Sequence, residues 1–151
     1  MRMSEQSGDT DAMRAAALAG ELRVLIGRLS RRLREQAPND LTASQKSVLL
    51  DLERDGPATV TALARAAGMR PQSMGATVSA LEAAGLVQGA PDPNDGRQTI
   101  LSLTDACRDW IAAGRAARQD WLFRTIQARL APQEQDVLVG AVALLKRLVD
   151  S

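Results

Sequence analysis

Arg70, Gln72, Ser73, Ser79 and Arg97 are the side chains whose types and spacing suit recognition of a polyanion. A guanidinium neutralises phosphate, and amides and hydroxyls one helical face apart can reach base edges in a groove. Thr61, ten residues before "PQSMGATVSALEAAG", adds a hydroxyl suited to a phosphate oxygen. Within "APDPNDGRQTILSLT", Asp95 precedes Arg97 by two residues and could hold its guanidinium extended through a bidentate pair. Equally, the two could form only a surface ion pair, worth less than about 1 kcal/mol. For Ser79, plain solvated polarity is as good a reading as contact, and Arg65 reads better as part of a solvated face.

Two further residues could act as switches. Cys107 lies beside Arg108, which favours a thiolate, although a lone helical cysteine more often serves as a small packing group. Trp110 is read first as a core or interface anchor, with Trp121 eleven positions on, and second as the lining of a ligand cavity. Arg28, Arg31, Arg32 and Arg34 form a basic cluster that a solvated helix face explains, with an acidic effector or a DNA backbone as the sharper alternative.

The chain has no histidine and one cysteine, so Ser-His-Asp and Cys-His catalysis, an internal disulfide and the common transition-metal ligand sets are all excluded. No phosphate-cradling Gly-rich loop takes their place. No enzyme, metal or cofactor is expected. Nineteen basic against eighteen acidic residues give a net charge of +1, so any nucleic-acid affinity must come from local placement. The 151 residues, 45% hydrophobic and 25% charged, suit one domain, and no apolar run approaches the ~20 residues that cross a bilayer. Without a secretory signature in "MRMSEQSGDTDAM", a cytoplasmic protein is expected.

The elements that must position these residues are mainly helical. Residues 1–10 are polar and read as a disordered tail, and a single domain follows over 11–151. Leu18, Leu22, Leu25, Leu29 and Leu33 line one face of a helix over about 11–36, stopped by Pro38. "LTASQ" supplies a capping box on Thr42 and Gln45. "TVTALARAAGM" predicts a short helix capped by Thr59, burying Val60, Leu63, Ala64 and Ala67, and ended by Gly68.

A tight turn then leads to a second helix, opened by Pro71 and closed by Gly85. This is helix-turn-helix punctuation. On it Met74, Thr77, Val78 and Leu81 face inward, and Gln72, Ala76 and Ser79 outward. "LVQGA" and "TILSL" predict a hairpin around "PDPNDGRQ", a wing behind the helix-turn-helix, within a 41–103 reading head. From the cap at Thr104, two helices over 104–151 carry an apolar surplus. With 11–36 they are expected to join two copies into a homodimer.

"LTASQKSVLLDL", "TVTALARAAGMRPQSMGATVSALEAAGLV" and "DPNDGRQTILSLTDA" in this order resemble the MarR family of winged helix-turn-helix regulators, from about Glu21 to the C-terminus. The resemblance implies a two-fold homodimer, usually a repressor, on double-stranded DNA with a palindromic operator. The helix from Pro71 to Ala84 would enter the major groove and Arg97 the adjacent minor groove. Release would follow a small aromatic or acidic ligand, or oxidation of a cysteine, which peroxide-sensing relatives carry in the first helix. This chain departs from the family at Gly75 and Ala76, where Thr-Arg is frequent, at Gly89, where a basic residue is frequent, and at Cys107, where glycine is usual. The bare outward face motivates a rival reading, a dimeric ligand-sensing or protein-interaction module of the same fold with little DNA affinity.

Overall fold

A computed structural model of the chain describes residues 2–150, with side chains from Gln6 onward. The first helix, α1, runs Arg2–Glu35. It therefore begins well before Asp11, and residues 2–10 are helical where a loose tail was expected. The segment carries no proline to interrupt a helix, and Thr10 Oγ1 donates back to the Gln6 carbonyl at 2.9 Å.

The next helices follow their punctuation closely. Before α2 (Ala43–Asp55), Thr42 Oγ1 accepts the Gln45 N–H at 3.2 Å and Gln45 Oε1 accepts the Thr42 N–H at 2.9 Å, the reciprocal cap read from the sequence. Thr59 Oγ1 accepts the Ala62 N–H at 3.1 Å at the start of α3 (Val60–Ala67). Helix α4 spans Pro71–Ala83. Gly68 and Gly85 take φ of 64° and 74°, where a Cβ would be strained. In that conformation Met69 N–H reaches the Ala64 carbonyl at 2.9 Å and Leu86 N–H the Leu81 carbonyl at 3.0 Å, satisfying acceptors that the helices leave open.

Strands β2 (Val87–Pro91) and β3 (Thr99–Leu103) form the expected antiparallel hairpin, with Val87 opposite Leu103 and Pro91 opposite Thr99. A short strand not anticipated, β1 (Ala58–Thr59), pairs with the other edge of β3, so the sheet order is β1-β3-β2. Two residues are too few to display alternation, so β1 exists only because β3 offers a free edge. Helices α5 (Asp105–Arg129) and α6 (Pro132–Val149) complete the chain.

The chain divides into two compact units: Asn39–Arg115, and the segments before Asn39 and after Arg115. Every fully buried apolar side chain among the described residues belongs to the first. Val48, Leu49 and Leu52 of α2, Leu63 and Ala64 of α3, and Met74, Val78 and Leu81 of α4 pack on Val87, Leu101 and Leu103 of the sheet. Cys107, 0% exposed, closes the same core and Ile111 packs against it, so this unit extends beyond the boundary expected at Leu103. Ala67, expected inside, is exposed at the end of α3.

The second unit has no such core. No residue of α6 is buried, and Leu18, Leu25, Val137, Val139 and Leu144 are all more than half exposed. Trp121 is half-buried, with the Arg32 guanidinium 5.9 Å from its ring centroid. Trp110, expected to point inward as its companion, is 40% exposed.

Candidate nucleic-acid interface

Helix α4 is amphipathic in the sense its sequence required. Met74, Val78 and Leu81 are buried and Thr77 is half-buried, whereas Gln72, Ser73, Ala76, Ser79 and Ala80 are exposed on the other side. Thr77 Oγ1 is tied down, donating to the Ser73 carbonyl at 3.3 Å. Gly75 stands on the same helix, and a Cβ added to it would meet nothing within 4 Å, so no packing constraint inside the chain demands a glycine there.

The start of α4 differs from the other helix starts in this unit. Helices α2, α3 and α5 each begin with a threonine whose hydroxyl accepts a backbone N–H. At α4 the capping position is Arg70, which has no acceptor to offer and makes no side-chain cap. The N–H groups of Gln72 and Ser73 consequently have no partner among the described residues. An uncapped helix N-terminus flanked by a guanidinium is a donor array for an anion. Sequence reading identified Pro71 as the opening residue but missed that the cap was missing; an arginine where Ser, Thr, Asp or Asn is usual was the available signal.

The wing turn is held by its own aspartates. Asp92 N–H donates to the Gln98 carbonyl at 2.9 Å, Asn94 N–H to Asp92 Oδ1 at 2.9 Å, and Arg97 N–H to Asp95 Oδ1 at 3.1 Å. The last bond corrects one expectation. Asp95 does not grip the Arg97 guanidinium; its carboxylate is turned to the backbone of the same residue, because an Asp side chain two positions ahead reaches an amide more easily than the end of a long arginine. Arg97 is thereby left exposed with its guanidinium unpaired.

That state is shared by a subset of the arginines. Arg54, Arg108 and Arg115 of this unit pair with Asp51 and Asp55, with Asp105, and with Glu53 respectively. Arg65, Arg70 and Arg97 make no ion pair or side-chain hydrogen bond among the described residues. Thr61 is exposed in the first turn of α3. The uncommitted arginines of this unit thus lie on α3, before α4 and in the wing, and the committed ones on α2 and α5.

Gly89 of β2 has a local reason. A Cβ there would stand 2.7 Å from Thr99 Cγ2 on β3, so the strand pair closes over a missing side chain. A long basic residue at this position would have to displace that methyl.

The two switch candidates are placed differently from what their sharper readings need. Cys107 is enclosed, and burial pushes its thiol above the usual range, with Arg108 opposing and Glu53 adding to the shift. An exposed, low-pKa thiolate is therefore not what the fold presents. A cleft of about 460 Å³ does exist in this unit, with Leu52, Leu103 and Ile111 as apolar lining and Glu53, Ser102, Arg108 and Arg115 as polar lining. Trp110 is not among its walls; the α5 residues that turn toward it are its neighbours. Among the described residues no group of His, Cys, Asp and Glu could hold a metal ion, and no helix is long and apolar enough to cross a membrane.

Comparison with known proteins agrees with this architecture. The MarR family profile matches residues 39–98. An uncharacterized HTH-type transcriptional regulator of Mycobacterium bovis is 39% identical over 136 residues, covering 89% of this chain and 94% of its own, and one of Mycobacterium leprae is 35% identical over the same span. A transcriptional regulator from Pseudomonas aeruginosa has a similar crystal structure, with a TM-score of 0.77, 35% identity, and coverage of 91% of this chain and 97% of its own. A Staphylococcus aureus MepR variant solved bound to an oligodeoxyribonucleotide shares the fold at a TM-score of 0.68 and 18% identity, over 87% of this chain and 97% of its own. With its helix-turn-helix, its three-stranded wing and these relatives along most of its length, the chain belongs to the MarR family of transcriptional regulators.

Proposed function

We propose that the chain acts as a homodimeric, sequence-specific DNA-binding repressor in the cytoplasm, working by binding alone. The observation that carries this is the co-occurrence of an uncapped α4 N-terminus with unpaired Arg70 and Arg97, all exposed in one compact unit. Gln72, Ser73 and Ser79 are the base-reading candidates, Thr61 and Arg70 the phosphate contacts, and Arg97 the minor-groove contact, with Asp95 fixing the backbone beneath it. The dimer rests on the coreless second unit, whose exposed valines and leucines need a partner surface. Two-fold symmetry then calls for a palindromic operator with half-sites one helical turn apart, ~34 Å. Release by a small aromatic or acidic effector is supported by the cleft beside Arg108 and Arg115, which joins apolar walls to guanidinium groups that an acidic ligand would have to share with Asp105 and Glu53.

A second reading has its own observation. Gly75, Ala76 and Gly89 leave the reading surface with few cations, and any side chain at Gly89 would have to displace the Thr99 methyl. This favours a dimeric ligand-sensing or protein-interaction module with little DNA affinity. Selection of bound sites from a random duplex pool at low and physiological salt separates the two. An enriched palindrome protected symmetrically supports the repressor; no enrichment at either salt supports the module.

A further inference from the structure

The dipeptide Asp-Gly occurs at two places, Asp55–Gly56 and Asp95–Gly96, and the fold treats them oppositely. Such pairs can close to a succinimide when the glycine nitrogen attacks the aspartyl Cγ, because glycine brings no Cβ to block the approach. At the first pair the nucleophile and the electrophile are both engaged. Gly56 N–H donates to the Leu52 carbonyl at 3.1 Å, and the Asp55 carboxylate is clamped by Arg54, with Nε 3.1 Å from Oδ1 and a terminal nitrogen 2.9 Å from Oδ2. The hydrogen bond from Arg54 also holds that carboxyl below the usual carboxylate range, so the hydroxyl that must leave is rarely present.

At the second pair the nucleophile is free, and the carboxylate takes one hydrogen bond from a main-chain amide in place of a guanidinium clamp. Asp95 and Gly96 are exposed in the turn between β2 and β3, and Gly96 N–H has no partner among the described residues. The bond from Arg97 N–H to Asp95 Oδ1 folds the carboxyl back along the chain, toward the amides that follow it. We propose that Asp95 is a site of spontaneous succinimide formation and conversion to isoaspartate, through which ageing of the protein disables its wing. The chemistry stands on the geometry of the turn, and its consequence for DNA rests on the wing contact proposed above.

In the first step the Gly96 N–Cγ bond forms, and the Asp95 hydroxyl leaves with the amide proton as water. Water then adds to one of the two ring carbonyls. Addition at Cγ restores aspartate. Addition at the main-chain carbonyl carbon breaks its bond to Gly96 nitrogen and leaves the backbone running through Cβ and Cγ. No oxidant or co-reactant is needed. The isomerised chain carries an extra backbone carbon two residues before Arg97, and the Arg97 N–H loses its acceptor.

The test incubates the full chain at neutral pH and physiological temperature, then locates isoaspartate by proteolysis and electron-transfer fragmentation. Isoaspartate should accumulate several-fold faster at Asp95 than at Asp55, and the difference should vanish when the chain is aged in denaturant. Gly96→Ala should suppress it without disturbing the fold, since Gly96 is outside the left-handed region and a Cβ there meets nothing within 4 Å. Equal or faster accumulation at Asp55 in the native protein, or none at Asp95, overturns the proposal. Aged wild type and aged Gly96→Ala are then titrated against a selected operator duplex. Loss of affinity in proportion to conversion, in the wild type alone, supports the effect on the wing. Conversion at Asp95 with undiminished affinity upholds the modification site and removes Arg97 from the functional reading.

Discussion

The Asn39–Arg115 unit and the helices on either side of it spend their apolar residues in opposite ways. The former buries Leu81, Cys107 and ten other side chains to below a tenth exposure, while α6 buries none and leaves Val137 74% and Val139 70% exposed. One region carries its own cohesion; the other has the composition of half a core. Burying a leucine or valine contributes about 1.5–3 kcal/mol, so the first unit gains this many times over, whereas α6, with no buried residue, gains it in full nowhere.

The largest effects should appear where the contrast is greatest. Leu81→Ala, at 0% exposure, should cost about 2–5 kcal/mol in denaturant unfolding and leave association intact. The paired change Val139→Asp and Val142→Asp should do the reverse. Sedimentation should shift from two chains to one, with secondary structure of the Asn39–Arg115 unit retained; a double variant still sedimenting as two chains would erase the distinction between the regions.

Arg97→Ala removes an exposed, unpaired cation, so it should leave stability unchanged while weakening operator binding by about 1–3 kcal/mol in a salt-dependent titration. Cys107 gives a smaller effect inside the core. Its thiol is raised by burial, so the unfolded chain loses this proton first as pH climbs. The contribution is complete below the usual thiol range and disappears as pH rises through the folded value. Urea midpoints at neutral and alkaline pH should diverge in the wild type and less so in Cys107→Ala. Gly75→Ala comes last: with open space at the Cβ position it should stabilise by up to about 1 kcal/mol, and a loss instead would show that this helix depends on glycine.

Much of the reading unit was legible because its signals are local. Thr42, Thr59 and Thr104 cap the helices they precede, Gly68 and Gly85 end theirs, and the hairpin strands fall at Val87–Pro91 and Thr99–Leu103. What escaped depended on distant partners. Strand β1 exists through Leu101 and Ile100, more than forty residues away, and the exposure of Trp110 depends on which face of α5 the core takes. The side-chain partner of Asp95 was misjudged for a shorter-range reason, since an amide two residues on competes with a guanidinium at the same spacing. At the candidate interface the residue types were readable, but the missing cap at α4 emerged only when every amide was accounted for.

The hydroxyl of Thr104 does more than begin a helix. Its oxygen donates to the Gly85 carbonyl at 2.7 Å and accepts the Cys107 N–H at 3.1 Å, while Thr104 N–H reaches the Leu86 carbonyl at 3.1 Å. The end of α4, the root of the wing and the first turn of α5 are riveted at this one residue. Any displacement of the first turn of α5 is therefore felt at the end of α4 and at the root of the wing together, because one side chain joins all three.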